Sequence, residues 1–306
     1  MFYNCLECDE TFESERSLHA HIKKHGLYLH DYFVKHFQRK NLLTGELLPF
    51  KDKDSYFEID FNNISELYKW CETANGQVVK NYILEKLVER INKKGLKFAP
   101  NEVELYTSCL PSIDHYKNFY KSYTYACNEI GVSPLFTEKL PIDFQNKSSL
   151  EEMLIITDTR EQEPLFFKNQ IISKLDIGDY GIQENFDYTF VDRKSEQDFK
   201  CTLSLANLDR FRRELDRCRS IDCYIFIVVE SKLQALEENN KKSFHKSNMK
   251  YIFHNMRLLQ HEYKDCCQFV FSGGRRQSET LIPMILRAGK KIWNVDLQYY
   301  VNKMRL

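Results

Sequence analysis
The sequence predicts an α/β domain, a mixed sheet flanked by helices, lying behind a small Cys/His-rich module and a helical stretch. Three observations carry this. From residue 151 onward, short apolar runs rich in β-branched residues alternate with helical periodicity. Val79, Ile83, Leu84, Leu87, Val88 and Ile91 recur at spacings of three and four between Gly76 and Gly95. Cys5, Cys8, His21 and His25 open the chain at metal-ligand spacing.

Taken in order, the elements divide the chain into 1–37, a Cys/His module with its following helix; 38–132, a helical module; 133–150, a linker; and 151–306, the α/β domain. In the first, Tyr3, Phe12 and Leu18 are the small apolar core of a two-Cys, two-His finger. Cys5 and Cys8 sit on a knuckle, and His21 and His25 share a helix face, so four ligands form a closed, structural tetrahedral site for zinc. Leu29, Tyr32, Phe33 and His36 continue at helical spacing. Counting back from His21 puts Ser14, Ser17 and Ala20 at the helix positions that would face bases. These side chains are too small for strong base discrimination, whereas Arg16, Lys23 and Lys24 suit phosphates. Contact with DNA and contact with protein both stay open for this finger.

In the helical module, Ser112 after Leu110-Pro111 caps one short helix with a Tyr116, Phe119 and Tyr120 stripe. Ser122 opens a second, with Tyr123, Ala126, Cys127 and Ile130 on one face and Gly131 as its stop. Pro134, Pro141 and the polar run Gln145-Asn146-Lys147-Ser148-Ser149 then break the periodicity. Beyond them, Met153 to Ile156 reads as a buried strand with Asp158 emerging at its end, poised and not buried. Phe190 to Lys194 alternates as a strand, placing Asp192 and Lys194 on one face. Asn207 to Arg219 is a helix with Leu208, Phe211, Leu215 and Cys218 inward and Arg210, Arg213 and Arg217 on another face, suited to a phosphate backbone. Cys223 to Val229 is a central strand ended by Glu230. Gln234 to Lys250 reads as a polar loop, Tyr251 to Tyr263 as a helix, Gln268 to Phe271 as a strand and Glu279 to Leu286 as a closing helix. Lys290, Lys291, Lys303 and Arg305 give the C-terminal region a basic excess.

The chemistry concentrates in Asp158-Thr159-Arg160-Glu161, Gly178-Asp179 and Asp192-Arg193-Lys194 with Asp198 four positions on. Phosphodiester hydrolysis needs a nucleophile at neutral pH and positive charge around the phosphorus, and a hard cation held by carboxylates supplies both. Asp158, Asp179 and Asp192 are candidate magnesium ligands, and Lys194 would orient the attacking water. These residues resemble the nuclease domain of the XPF family, whose signature is Gly-Asp, Glu-Arg-Lys and a following Asp, after an upstream Asp-x-Arg-Glu. The resemblance spans roughly 153 to 290 and includes Leu208-Asp209-Arg210-Phe211, similar to the family's Arg-bearing helix. It implies a restriction-endonuclease-like fold, metal (Mg2+ or Mn2+) on Asp158, Asp179 and Asp192, support from Glu161 and Asp198, and catalysis by Lys194; Arg193, between Asp192 and Lys194, is a candidate DNA contact. Asp192 departs from the family's Glu and is one methylene shorter. The tandem helix-hairpin-helix motifs that commonly follow this domain are not found in the sequence.

Leu110-Pro111-Ser112 with Tyr120-Lys121-Ser122-Tyr123 resembles the helical repeat of phage and bacterial homing endonucleases, which have Phe-Gly-Ser-Trp where this chain has the latter run. Lys121, in place of the Gly, adds a phosphate contact. Finger, repeat and nuclease together imply a DNA endonuclease targeted by its N-terminal modules, of phage or mobile-element type. A structure-specific repair or recombination nuclease and an inactive DNA-binding scaffold are the alternatives. Dimerisation through the nuclease domain stays open.

Composition bounds these readings. The 306 residues are 42% hydrophobic and 14% aromatic, enough for sizeable cores. The 44 basic and 44 acidic residues cancel, which argues against indiscriminate attachment to nucleic acid and places the burden on local patches. The ten cysteines show no disulfide framework, the N-terminus reads as a finger and not a signal peptide, and no stretch has the apolar length of a membrane span. The expectation is a cytoplasmic protein of a bacterial or phage-infected cell.

Overall fold
The structure, a computed structural model, describes residues 2–146, 150–183 and 188–304. Contacts divide the chain into two compact units, one comprising Met1–Tyr82 with Cys109–Pro111 and the other Ile83–Ser108 with Ser112–Leu306.

The first unit begins with the hairpin of β1 (Tyr3–Asn4) and β2 (Thr11–Phe12), followed by α1 (Glu15–Ile22) and α2 (Leu29–His36). Ser14 caps α1 by accepting from the Ser17 amide, and Gly26, at φ +71°, lets the chain turn into α2. Cys5, Leu18, Ile22, Tyr32 and Phe33 form one core, so the finger and its following helix bury their apolar faces on each other. Beyond them come α3 (Lys53–Glu58), α4 (Ile64–Thr73) and α5 (Gly76–Lys94), the last running across the boundary between the units. Its ends fall at the two glycines read from the sequence, and Val79, Ile83, Leu87 and Ile91 are its buried stripe.

In the second unit, α6 (Glu102–Thr107), α7 (Ile113–Lys117) and α8 (Tyr123–Glu129) precede the sheet, with Ser112 and Ser122 as the expected caps. The strands are β3 (Ile155–Thr157), β4 (Gln170–Ile172), β5 (Tyr180–Ile182) and β6 (Thr189–Lys194). After α9 (Glu196–Thr202) and α10 (Leu208–Ser220) come β7 (Tyr224–Val229), α11 (Leu236–Lys242), α12 (Met249–Glu262), β8 (Cys267–Phe271), α13 (Arg275–Ala288) and α14 (Leu297–Val301). Six strands form one mixed sheet in the order β4-β3-β5-β6-β7-β8, with β5 antiparallel to both neighbours and β6, β7 and β8 parallel.

Strand periodicity shows how the sheet is covered on both sides. Ile225, Ile227 and Val229 of β7 pack with Phe211 and Leu215 of α10 and Met256 and Leu259 of α12, while Tyr224, Phe226 and Val228 pack with Ile282 and Ile285 of α13. A strand buried on both faces reads as a continuous apolar run, which is why it was legible.

Two expectations change here. The segment read as a linker carries Leu135, Phe136 and Phe144 at 2%, 2% and 1% exposure, with Phe144 in the core beneath α13, so its prolines mark turns within a packed layer; Lys147, Ser148 and Ser149 lie outside the described residues. The stretch read as a polar loop after β7 contains α11, which buries Leu236 under a polar outer face. Arg305 also lies outside the described residues.

Candidate active site
The site is built on the pairing of β5 and β6. Tyr180 faces Val191 across these strands, and the preceding Gly178-Asp179 lies hard against β6. Gly178 has φ +68°, and a Cβ there would stand 2.8 Å from the Val191 carbonyl oxygen. Only glycine satisfies both the left-handed backbone and the close approach. The Asp179 amide then donates to the Val191 carbonyl (2.8 Å), and its carboxylate accepts from the Arg193 amide (2.8 Å).

Asp179, Asp192 and Lys194 meet at one cleft, about 590 Å³ in volume, whose lining also includes Glu161, Asp198 and Arg210. As the alternation of β6 requires, Asp192 and Lys194 share a face, with Nζ 2.7 Å from Oδ2. Burial and the nearby Asp192 carboxylate push Asp179 up to about 8. Burial pulls Lys194 down, but the Asp192 charge outweighs it and the net direction is upward, so the lysine is held as a cation. Its ammonium also lies 5.7 Å from the Phe211 ring centre.

Glu161 and Asp198 stand at the cleft with local duties. Glu161 accepts from Arg193 (3.0 Å), and Asp198 accepts from the Ser195 hydroxyl (2.6 Å) while its amide donates back to that oxygen, closing the first turn of α9.

Asp158 departs from expectation. It is 1% exposed and does not line the cleft. One carboxylate oxygen accepts from the Arg160 amide (2.8 Å) and side chain (2.6 Å), the other from the Leu175 amide (2.6 Å). The Asp158 amide donates to the Asp179 carbonyl (2.8 Å), so this residue fixes the backbone behind the site. Burial alone would raise its carboxyl, yet these donors hold it below the usual carboxylate range.

Arg193 also departs. Expected to meet DNA, its side chain is 8% exposed and is clamped between Glu161 and Glu230 at 3.0 and 2.9 Å. A guanidinium so committed organises the cleft wall and has no fork left for a phosphate. Of the arginines on α10, Arg210 reaches the cleft, Arg213 is exposed, and Arg217 lies on the surface 3.4 Å from Asp176.

Sequence reasoning missed Glu214. Burial and then the Asp192 charge raise its pKa, while Lys194, Arg160 and Arg210 pull the other way, so this α10 carboxylate faces the same charges as Asp179. The i, i+4 spacing of Arg210 and Glu214 was the available signal. Buried Lys200, paired with Glu196 at 2.9 Å, was missed as well.

In the first unit, Cys5, Cys8, His21 and His25 bring one ligand atom each within 4.8 Å of one another. Among the described residues this is the one group of three or more Cys, His, Asp or Glu to converge so tightly. Cys8 Sγ to His21 Nε2 is 3.2 Å, Cys5 Sγ to His25 Nε2 is 3.6 Å and the two Nε2 atoms are 3.0 Å apart. Zinc–sulfur and zinc–nitrogen bonds in a tetrahedron give edges of roughly 3.3 to 3.8 Å; the Cys5–His25 separation lies within that range and the other two lie 0.1 to 0.3 Å short of it, and two thiols with two imidazoles are the donor chemistry of structural zinc. Ser14 and Ser17 hydroxyls bond each other at 2.8 Å, occupied at the start of α1. Lys23 and Lys24 are exposed in the turn after α1, and Lys121, in the second unit, lies 5.9 Å from the Tyr125 ring centre.

No family model matches the sequence, and no curated protein matches it. Among solved structures the chain is similar to XPF from Aeropyrum pernix, at 18% identity and TM-score 0.34, over 45% of this chain and 67% of that one. It is similar also to XPF from Aeropyrum pernix in complex with DNA, at 19% identity and TM-score 0.34, over 44% of this chain and 64% of that one, just under two thirds of its length. Among the described residues, no helix is long and apolar enough to cross a membrane.

Proposed function
We propose that the protein is a metal-dependent DNA endonuclease whose cutting site is the cleft between β5, β6 and α10. The observation that carries this reading is the meeting of Asp179, Asp192 and Lys194 at one opening, with Asp179 held up to about 8 by burial and its neighbour's charge. Two carboxylates that resist joint ionisation beside a cation fit a hard divalent ion, and magnesium needs only one or two protein carboxylates when water and phosphate oxygens complete its shell. Asp179 and Asp192 would hold it; when bound it would supply Lewis acidity and an activated water.

The chain's own residues have distinct tasks. Lys194, which pairs with Asp192 at 2.7 Å, would orient the attacking water and offset charge on the phosphate. Arg210 at the rim binds a phosphate oxygen. The Glu161–Arg193–Glu230 clamp and the buried Asp158 keep β5 and β6 in place, and Glu214 adds negative charge on the α10 side. Asp158 as a third ligand would need to leave the amide and guanidinium that now hold it, so two carboxylates are the proposed set.

Zinc on Cys5, Cys8, His21 and His25 would hold the finger, and the finger with Lys23, Lys24 and Lys121 would supply targeting to a homing-type enzyme. Cut sites mapped by end sequencing on random-sequence plasmid, against a labelled fork, test this. Recurrent cut sequences support targeting. Cleavage of the fork at its junction, regardless of sequence, would replace it with a structure-specific nuclease.

A further inference from the structure
Outside the cleft, basic side chains gather between the second half of α5 and α12, both in the same compact unit. On α5 and just past it, Arg90, Lys94 and Lys97 recur at intervals of four and three. On α12 and just past it, His254, Arg257, His261 and Lys264 recur at three, four and three. Arg90 and Lys94 therefore lie one above the other on α5, and His254, Arg257 and His261 on α12, while Lys97 and Lys264 stand in the turns just past the helix ends, so each helix carries a ridge of basic side chains.

The two ridges face each other across one carboxylate. Glu104 of α6, 2% exposed, accepts from Arg90 Nε (3.0 Å) and Nη2 (2.7 Å), and its other oxygen lies 2.6 Å from His261 Nε2. Arg257 Nη1 donates to the Thr107 carbonyl (3.2 Å) and hydroxyl (3.1 Å), and Lys264 Nζ lies 3.7 Å from the Phe98 ring centre. Lys94 and Lys97 are exposed and have no acidic partner among the described residues. Burial and then Arg90 bring Arg257 down to about 10, against the opposing pull of Glu104. Burial, followed by Arg257, Lys94 and Arg90, lowers His254 as well. Positive charges therefore crowd together on this face.

We propose that the α5–α12 face binds the phosphate backbone of duplex DNA as a second contact surface, separate from the cutting cleft. The proposal rests on the nuclease reading for its choice of polyanion. Arg90 is spent on Glu104, as Arg193 is on its own glutamates, so the exposed Lys94 and Lys97 are the heads left to meet phosphate, and from His254 to His261 the neighbouring helix rises about 10 Å. Duplex DNA, with one charge per about 1.7 Å of axis, meets several such heads at once without having to order itself. An acidic peptide would first lose conformational freedom.

The test uses the full chain without added magnesium, with a labelled duplex and with poly-glutamate, across a salt series. Lys94→Glu combined with Lys97→Glu alters only exposed side chains, and Lys241→Glu on α11 is the control. The proposal expects the double variant to bind duplex at least about tenfold more weakly, with a log–log salt slope shallower by about 2, and the control to stay within about twofold of wild type. Unchanged duplex affinity and slope in the double variant would overturn it, as would loss of poly-glutamate binding with duplex binding intact. Cleavage by the wild type in magnesium is read separately. No cleavage with the salt effect present would remove the nuclease reading and leave the surface; cleavage with no salt effect would do the reverse.

Discussion
Lys194 and Asp192 stand two residues apart on β6, and their side chains form an ion pair of 2.7 Å in the cleft. Replacing Lys194 with Met leaves Asp192 buried without its cation, beside Asp179. Cleavage is expected to fall by about 100- to 1000-fold, the cost of removing a charge aimed at the transition state. The same variant is expected to gain more thermal stability from added magnesium than wild type does, because the ion then answers two unpaired carboxylates. Single-turnover cleavage and thermal melts with and without magnesium check both.

Gly178→Ala would force a side chain into φ +68° with its Cβ 2.8 Å from the Val191 carbonyl oxygen. The backbone strain alone costs about 1–3 kcal/mol, and relieving the clash shifts Asp179 away from β6. Urea unfolding should show the loss, and cleavage should drop in the protein that remains folded.

How much of this was legible follows from the range of the interactions. Asp192 and Lys194 share a face because strand side chains alternate, and β7 is central because both its faces are apolar; both are local patterns. The finger ligands and the glycine-bounded ends of α5 are local too. Asp158 and Arg193 were misread for the opposite reason. The first is held by the Leu175 amide, 17 residues on, and the second is claimed by Glu161 and Glu230, 32 and 37 residues away, none of which a window around the motif contains. Phe144 looked like linker because its neighbours are polar, while its own ring fills the core beside α13. The ridge on α12 was hidden within a helix read only for its apolar stripe.

Glu102 and Asp296 tie α6 to the C-terminal helix. Asp296 accepts from the Glu102 amide (2.7 Å), and the Glu102 carboxylate accepts from the Ile113 amide (3.0 Å). Burial raises Glu102 to about 7 and Asp296 to about 6. Folded values above the unfolded ones mean that the fold holds these protons more tightly, so their stabilisation is present below the ordinary carboxylate range and is lost as pH rises through about 6 to 7. Urea midpoints should therefore fall between pH 5 and pH 8 by a larger step in wild type than in Glu102→Gln. Equal steps would remove Glu102 from the explanation.

Zinc removal should act on the first unit, where Cys5 shares a core with Leu18, Tyr32 and Phe33. A strong chelator, or Cys8→Ser, is expected to cost the helical signal of α1 and to abolish stoichiometric zinc by elemental analysis, because small finger modules draw their folding energy from the metal. Zinc retained by Cys8→Ser would contradict the four-ligand site.

The central claim, that the cleft at Asp179 and Asp192 cuts phosphodiesters with a divalent ion, is tested most directly by supercoiled plasmid incubated with wild type and with Asp179→Asn, each in magnesium and in chelator. The account predicts nicked or linear product from wild type in magnesium alone. Equal cleavage by both proteins in magnesium, or none by wild type with magnesium or manganese, would contradict it.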